Sequence, residues 1–469
     1  MISSWLWLAP VIPWISIANG DDQFAFNATT ATLPFASDIC AINSWPTSLP
    51  GHPLTPQLPD SELTSMLSQI DPLRIQAIIE KLVSFGTRHT QSSQTDPNRG
   101  IGASRDWLLG QYQEFAKASD GWMTVELQSY IQGVSSRISA PTNISNIVAT
   151  LRGSSDPDRI IVVSGHYDSR NTDVNNFLDD APGADDDGSG VAISMELARI
   201  MATHRPAATI KFAAVAGEEQ NLFGSNYMAQ LLANASSNVQ GMWSDDGRNQ
   251  STVIRLFTQG IPSNETESQA ASRLSIGGEN DSPARQLGRF TRDVASNSVT
   301  GMSVETVYRA DRYLRGGDHL SFLSAGYAAN RFTEPRENFA HQHQDVRVLN
   351  GTQYGDLPEF CDFYYISRVG KVTGAAAWSL ANGPDNPGNV TLDTSVLSNE
   401  STFSWERVSG AVGYEVLWRP TDEPFWTHVI SVGDVTTVTV GISKDNVEFG
   451  VRSVATSGYR SPAVFPFPG

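Results

Sequence analysis

Residues 158–190 read DRIIVVSGHYDSRNTDVNNFLDDAPGADDDGSG, and the reading of this stretch decides the fold. Ile160 to Ser164 form an apolar, β-branched run suited to a buried strand, and His166 stands at its end. Asp168 follows two residues later. Asp185, Asp186 and Asp187 then sit in a glycine-rich turn, and a helical pattern begins directly after them. Strand, ligand-type residue, turn, acidic cluster and helix is how an α/β protein builds a metal site at the carboxyl edge of its sheet. On these residues alone a calcium loop is the alternative for the acidic turn.

Outward from this stretch the alternation continues. Strand patterns span Thr209–Ala216, Val239–Trp243, Val253–Thr258, Ser303–Tyr308 and Ala328–Phe332, with helical patterns at Val191–His204, Ser225–Leu232, Pro283–Ser296 and Asp362–Ala381. Upstream lie helical patterns at Arg74–Phe85 and Ala103–Ala118 and strands at Val125–Tyr130 and Ser145–Leu151. The spacing predicts an α/β domain over residues 61–382, a mixed, mostly parallel sheet flanked by helices. Asn382-Gly-Pro-Asp-Asn-Pro-Gly388 reads as a linker. Beyond it come only short alternating strands, which predict a small all-β sandwich over 388–469.

The chain of 469 residues is long enough for one large and one small domain. Its 50 acidic against 32 basic side chains give a net charge of −18. That excludes a nucleic-acid partner and an anionic membrane partner, both of which require a basic surface. Trp5 to Ala18 is apolar but too short to span a bilayer, and residues 1–18 read as a secretory signal peptide. Residues 19–60, rich in Pro, Ser and Thr, read as an extended segment that could serve as a propeptide. Secretion agrees with the sequons at Asn27, Asn143, Asn234, Asn249, Asn264, Asn280, Asn350, Asn389 and Asn399, where N-glycans are expected. It also agrees with the two cysteines, Cys40 and Cys361, expected to form a disulfide in an oxidising compartment. The expected protein is extracellular and monomeric.

The chain has no His-Glu-x-x-His helix, no phosphate-cradling loop and no Gly-x-Ser-x-Gly elbow. Instead, carboxylates and histidines fall at strand ends: His166, Asp186, Glu218-Glu219, Asp246 and His341. A mixed nitrogen and oxygen set suits Zn²⁺. Counting one of the two adjacent glutamates, five ligands are too many for one tetrahedral zinc and suit two ions about 3.5–4 Å apart that share a carboxylate.

Here the motifs become specific. Gly165-His-Tyr-Asp-Ser169, Pro182-Gly-Ala-Asp-Asp-Asp-Gly-Ser-Gly190 and Gly217-Glu-Glu-Gln-Asn-Leu-Phe-Gly-Ser225 resemble the secreted co-catalytic dizinc aminopeptidases, the leucine-aminopeptidase-like zinc exopeptidases. Asp246, Gly317-Asp-His319 and His341-x-x-x-Asp345 continue the pattern in that family's order. With Ser404-Trp405, Tyr414-Glu-Val-Leu-Trp418 and Phe449-Gly-Val-Arg-Ser-Val454 resembling a fibronectin type III module, the chain most resembles the fungal secreted probable zinc metalloproteases.

The resemblance implies the following roles. Two Zn ions are the cofactors, and peptides or proteins the substrates. Asp186 is the bridging carboxylate. His166 and Asp246 complete one zinc, Glu219 and His341 the other. Glu218 is the general base, acting through a zinc-bound hydroxide on N-terminal peptide bonds. Asp168 orients the His166 ring, and Asp187 backs the bridge. His343 competes with His341, whose spacing to Asp345 favours it, and Asp245 competes with Asp246. His319 is expected to pack behind the site. A carboxypeptidase, dipeptidase or cyclising acyl transferase on the same fold, and a receptor-like binding protein, are the alternatives.

Overall fold

The structure is a computed structural model that describes residues 50–244 and 252–469. The expected signal peptide, the greater part of the 19–60 segment, the Cys40 end of the expected disulfide and Asp246 lie outside the described residues.

A two-residue strand, β1 (His52–Pro53), leads into helices α1 (Ser61–Ser68), α2 (Pro72–Val83) and α3 (Ile101–Lys117). Asp60 and Asp71 start the first two helices by accepting hydrogen bonds from Leu63 N at 2.8 Å and Leu73 N at 2.9 Å. Then come β2 (Met123–Gln132), β3 (Thr142–Leu151), β4 (Asp156–His166), α4 (Gly188–Met201), β5 (Ala208–Val215), α5 (Phe223–Asn234), β6 (Asn238–Ser244) and β7 (Val253–Thr258). After these follow α6 (Glu267–Ser275), α7 (Pro283–Ala295), β8 (Ser303–Val307), α8 (His319–Ser324), β9 (Ala329–Thr333), the hairpin β10 (Arg347–Leu349) and β11 (Thr352–Tyr354), and α9 (Phe363–Asn382). Helix α6, which begins in a capping box at Thr266, has a polar sequence whose helical period escapes a reading based on apolar spacing.

Eight strands form one twisted sheet in the order β2-β3-β5-β4-β6-β9-β7-β8. The pairs β4–β5, β4–β6, β6–β9 and β7–β8 are parallel, while β2–β3, β3–β5 and β7–β9 are antiparallel. The sheet is therefore mixed, as expected. Its centre is apolar on both faces. Along β4, Ile161 and Val163 point into one core with Ile79, Val191 and Trp378, and Ile160 and Val162 into another with Met228 and Phe322. Alternation of this kind requires helices on both sides, supplied by α2, α4 and α9 on one face and α5 and α8 on the other. Burying each large side chain here contributes about 1.5–3 kcal/mol.

The C-terminal strands β12 (Thr391–Leu392), β13 (Ser401–Ser404), β14 (Ala411–Pro420), β15 (His428–Gly433), β16 (Thr437–Val440), β17 (Val447–Ala455) and β18 (Phe467–Pro468) form two four-stranded sheets, β1-β15-β14-β17 and β16-β13-β12-β18. Phe403, Trp405, Tyr414, Trp418 and Phe449 fill the core between them. The segment after Pro50 is stitched to this region. Trp418 Nε1 donates to Pro50 O at 2.9 Å, β1 pairs antiparallel with β15, and Tyr459 donates to Asp60 at 2.9 Å. Charged pairs join the two regions. Asp281, at the start of α7, accepts from Arg289 at 2.6 Å and from Arg419 of β14 at 2.7 Å. Among the described residues, no helix is long and apolar enough to cross a membrane.

Candidate metal centre

The site lies where the sheet changes direction of growth. Strand β4 has β5 on one side and β6 on the other, so the connections through α4 and α5 leave a crevice at the carboxyl end of β4. His166 is the last residue of β4 and lies in register with Val215, the last of β5, three residues before Glu218. Gly165 lets α4 approach the strand end, because a Cβ there would come within 2.3 Å of Val191 N. Asp187 caps α4 by accepting from Gly190 N at 2.8 Å, and its other oxygen accepts from His166 N at 2.8 Å. The peptide bond between Asp186 and Asp187 is cis.

Asp186 stands between two imidazoles. Its Oδ1 is 3.1 Å from His166 Nε2, and its Oδ2 is 2.9 Å from His343 Nε2. Glu219 Oε1 is also 2.9 Å from His343 Nε2, so Asp186, Glu219 and His343 place three ligand atoms within 4.8 Å of one another. The two Nε2 atoms and Glu219 Oε1 are buried, and despite these short separations none makes a hydrogen bond. Buried polar atoms that converge without hydrogen-bond alignment fit a cation between them. Two nitrogens with carboxylate oxygens suit zinc.

The electrostatics carry the same demand for positive charge. Burial opposes protonation of His343, but Glu219 and Asp186 outweigh it and hold its pKa at about 10. Burial likewise opposes His166, yet Glu218, Asp186 and Asp187 raise it well above the ordinary histidine value. Glu218, whose Oε2 is 4.0 Å from His166 Nε2, is pushed up to about 8 by burial, with His166 opposing and Glu219 and Asp318 adding. A carboxyl group able to hold or release a proton near neutrality is suited to acid–base work.

The structure brings together His166, Asp186, Glu218 and Glu219, and it places two of the expected contacts differently. His343, not His341, reaches the cluster. The His341 ring stacks on Phe360 with centroids 3.7 Å apart, and the turn then swings His343 inward with a left-handed φ of 56°. Hydrogen bonds of 3.1 Å in both directions between Thr172 and Asp345 hold that turn. The second concerns Asp168. The His166 Nδ1 lies 3.1 Å from the Asp168 main-chain carbonyl but 3.7 Å from its carboxylate. That carboxylate instead accepts from the backbone N–H groups of Glu218 and Glu219, at 3.2 and 3.1 Å, and so fixes the turn after β5. His319 packs behind the site as expected, fully buried with Nε2 2.8 Å from Ala310 O.

Several neighbours carry no signal in the sequence. Arg170 donates to Glu219 Oε2 at 3.0 Å and lies 2.6 Å from His343 Nδ1. Gln342 donates to Asp186 Oδ2 at 2.7 Å. Asp356 accepts from Asp185 N and Asp186 N, the latter at 2.9 Å, and anchors the acidic turn from 170 residues away. Only Arg170, two residues after Asp168, sits close enough to a recognised motif for a sequence reading to have found it. The cluster opens into a cleft of about 410 Å³ bordered by Arg137, Leu222, Arg312, Leu314 and Leu320.

Comparison with known proteins identifies the family. Residues 146–353 match the model of "Peptidase family M28". A "Probable zinc metalloprotease" of Pyricularia oryzae is 56% identical over 98% of this chain and 98% of its own length, and one of Pyrenophora tritici-repentis is 54% identical over 93% and 94%. Among solved structures, the LapA aminopeptidase of Legionella pneumophila is similar with a TM-score of 0.49 and 17% identity, over 69% of this chain and 74% of that one. The matched span contains every described residue of the cluster, and the chain belongs to peptidase family M28, among the fungal probable zinc metalloproteases.

Proposed function

We propose that the protein is a secreted aminopeptidase that hydrolyses N-terminal peptide bonds with two zinc ions. The observation that carries this reading is the Asp186 carboxylate, whose two oxygens face two different histidines. His166 and Asp246 would join Asp186 at one ion, and Glu219 and His343 at the other. Zinc, when bound, supplies Lewis-acid polarisation of the scissile carbonyl and makes water acidic enough to lose a proton near neutral pH. Glu218 takes that proton as the oxygen adds to the carbonyl carbon, and it delivers a proton to the departing amine as the C–N bond breaks. Asp168 and Arg170 hold Glu218 and Glu219 in place through the hydrogen bonds described above. Leu222, Leu314 and Leu320 form an apolar wall suited to the side chain of the residue released. The C-terminal sheets would be a fibronectin type III-like accessory module. The test is metal analysis of the full chain together with release of leucine from unblocked and N-acetylated peptides. Two zinc ions per chain and cleavage of the unblocked peptide only are expected. Equal cleavage of both peptides would overturn the aminopeptidase assignment.

A further inference from the structure

The charge around the cleft is opposite to that of the chain. In a protein of net charge −18, five arginines line it: Arg137, Arg170, Arg312, Arg315 and Arg331. Three of them belong to a closed network. Arg312 pairs with Asp311 at 3.0 Å and Glu337 at 2.8 Å, Arg315 with Glu337 at 2.6 Å, and Arg331 lies 3.6 Å from Asp311. Arg170 is held by Glu219 and His343. Arg137 differs. It is exposed, on the loop between β2 and β3, and the hydrogen bond it makes among the described residues runs from Nη1 to the Glu219 carbonyl at 2.8 Å. That bond holds its planar head beside the cluster and leaves the rest of its donor fork facing the cleft. The three carboxylates of the lining, Asp186, Glu218 and Glu219, belong to the metal and proton chemistry, so none opposes Arg137. A guanidinium preorganised in this way presents two parallel N–H groups that match a carboxylate.

Resting on the peptidase reading above, we infer that the cleft selects peptides carrying a carboxylate within one or two residues of the scissile bond, with Arg137 as the group that binds it. The carboxylate could be the α-carboxylate of a short peptide or an Asp or Glu side chain, because both offer the same two oxygens.

Four peptides test this with the zinc-loaded full chain: Leu-Ala, Leu-Ala-amide, Leu-Asp-amide and Leu-Asn-amide. At least one carboxylate-bearing peptide is expected to exceed its neutral counterpart by about tenfold in kcat/KM. Preference for Leu-Ala identifies the α-carboxylate, and preference for Leu-Asp-amide the side chain. The ratio should shrink as salt rises. Arg137→Gln should bring it to near one, and Arg137→Lys should restore it only in part, since an ammonium lacks the fork. Equal rates within both pairs, or a ratio unmoved in Arg137→Gln, overturn the inference. If none of the four is hydrolysed, the peptidase reading falls on its own, and the same peptides become stable probes. Calorimetric titration then decides, with tighter binding of the carboxylate forms, lost in Arg137→Gln, supporting the inference and equal binding overturning it.

Discussion

Asp186 and Asp281 are buried carboxylates on the same chain with opposite surroundings. Asp281 is closed by two fixed cations: Arg289, beside the neutral amide of Gln286, meets one oxygen and Arg419 the other. Asp186 is faced by imidazoles, His166 on one oxygen and His343 on the other. Arginine cannot give up its proton in a protein, so the Asp281 cluster has a single state and serves only to join the two regions. Histidine can exchange a proton for a metal ion, so the Asp186 cluster has a second state available. The depth of burial is similar in both places. What separates a structural charge cluster from a functional one is whether the partner can leave.

The largest expected effect lies on the metal side. Glu218→Gln should lower kcat by about 10³-fold with zinc content unchanged, since proton transfer by a positioned side chain is worth about 10²–10⁴-fold. Near-normal turnover would remove Glu218 from the chemistry. On the structural side, Asp281→Ala leaves two buried guanidinium groups without their partner. A loss of about 3–5 kcal/mol is expected, or about 3–5 °C in Tm for a chain of this size. Zinc content should not change, and if it falls, the two clusters are not independent. The pair His343→Ala and His341→Ala sharpens the comparison further. The first should lower the bound zinc, while the second should leave it unchanged and cost ring stacking of about 1 kcal/mol. The reverse pattern by metal analysis would restore His341 as the ligand.

The smallest effect concerns Glu448 on β17, which shares the surroundings of Asp281. Burial, with Asp281 and Glu279 adding and Arg419 opposing, pushes its pKa up to about 7. A carboxyl whose folded value lies above its unfolded value favours the fold below the unfolded value and loses that contribution as pH rises through 7. Glu448→Gln should therefore raise Tm by a degree or two at pH 8 and leave it unchanged near pH 4. A shift of the same size at both values would mean that the gain comes from packing rather than ionisation.

The fold was legible because its strands are buried on both faces and end in polar residues. The uninterrupted run Ile160–Ser164 and the run before Gly217 could be little else, and they carried His166 and Glu218-Glu219 to one edge. The acidic turn was legible from its glycines and the helix behind it, and the choice of Asp186 within it rested on the family resemblance. His343 was not. It lies in an irregular turn without periodicity, where it takes a left-handed φ while His341 stacks on Phe360, a contact across nineteen residues that no local pattern encodes. The role of Asp168 was misread for a similar reason: its hydrogen bonds reach the backbone of residues 50 positions away. Backbone donors leave no mark on side-chain identity. Arg170, Gln342 and Asp356 are likewise ordinary polar residues in sequence and become specific only through position.

The stitching of the early chain to the last sheets has a consequence for biosynthesis. Pro50 and Trp418 are 368 positions apart, and β1 finds its partner only in β15. On the ribosome, the stretch leading into α1 emerges long before the strands that dock it. The peptidase sheet can assemble while this strap is still loose. The latch closes only when the final strands are made, so a nascent or prematurely terminated chain would carry its N-terminal arm undocked, open to proteases and to folding factors that inspect unfinished proteins.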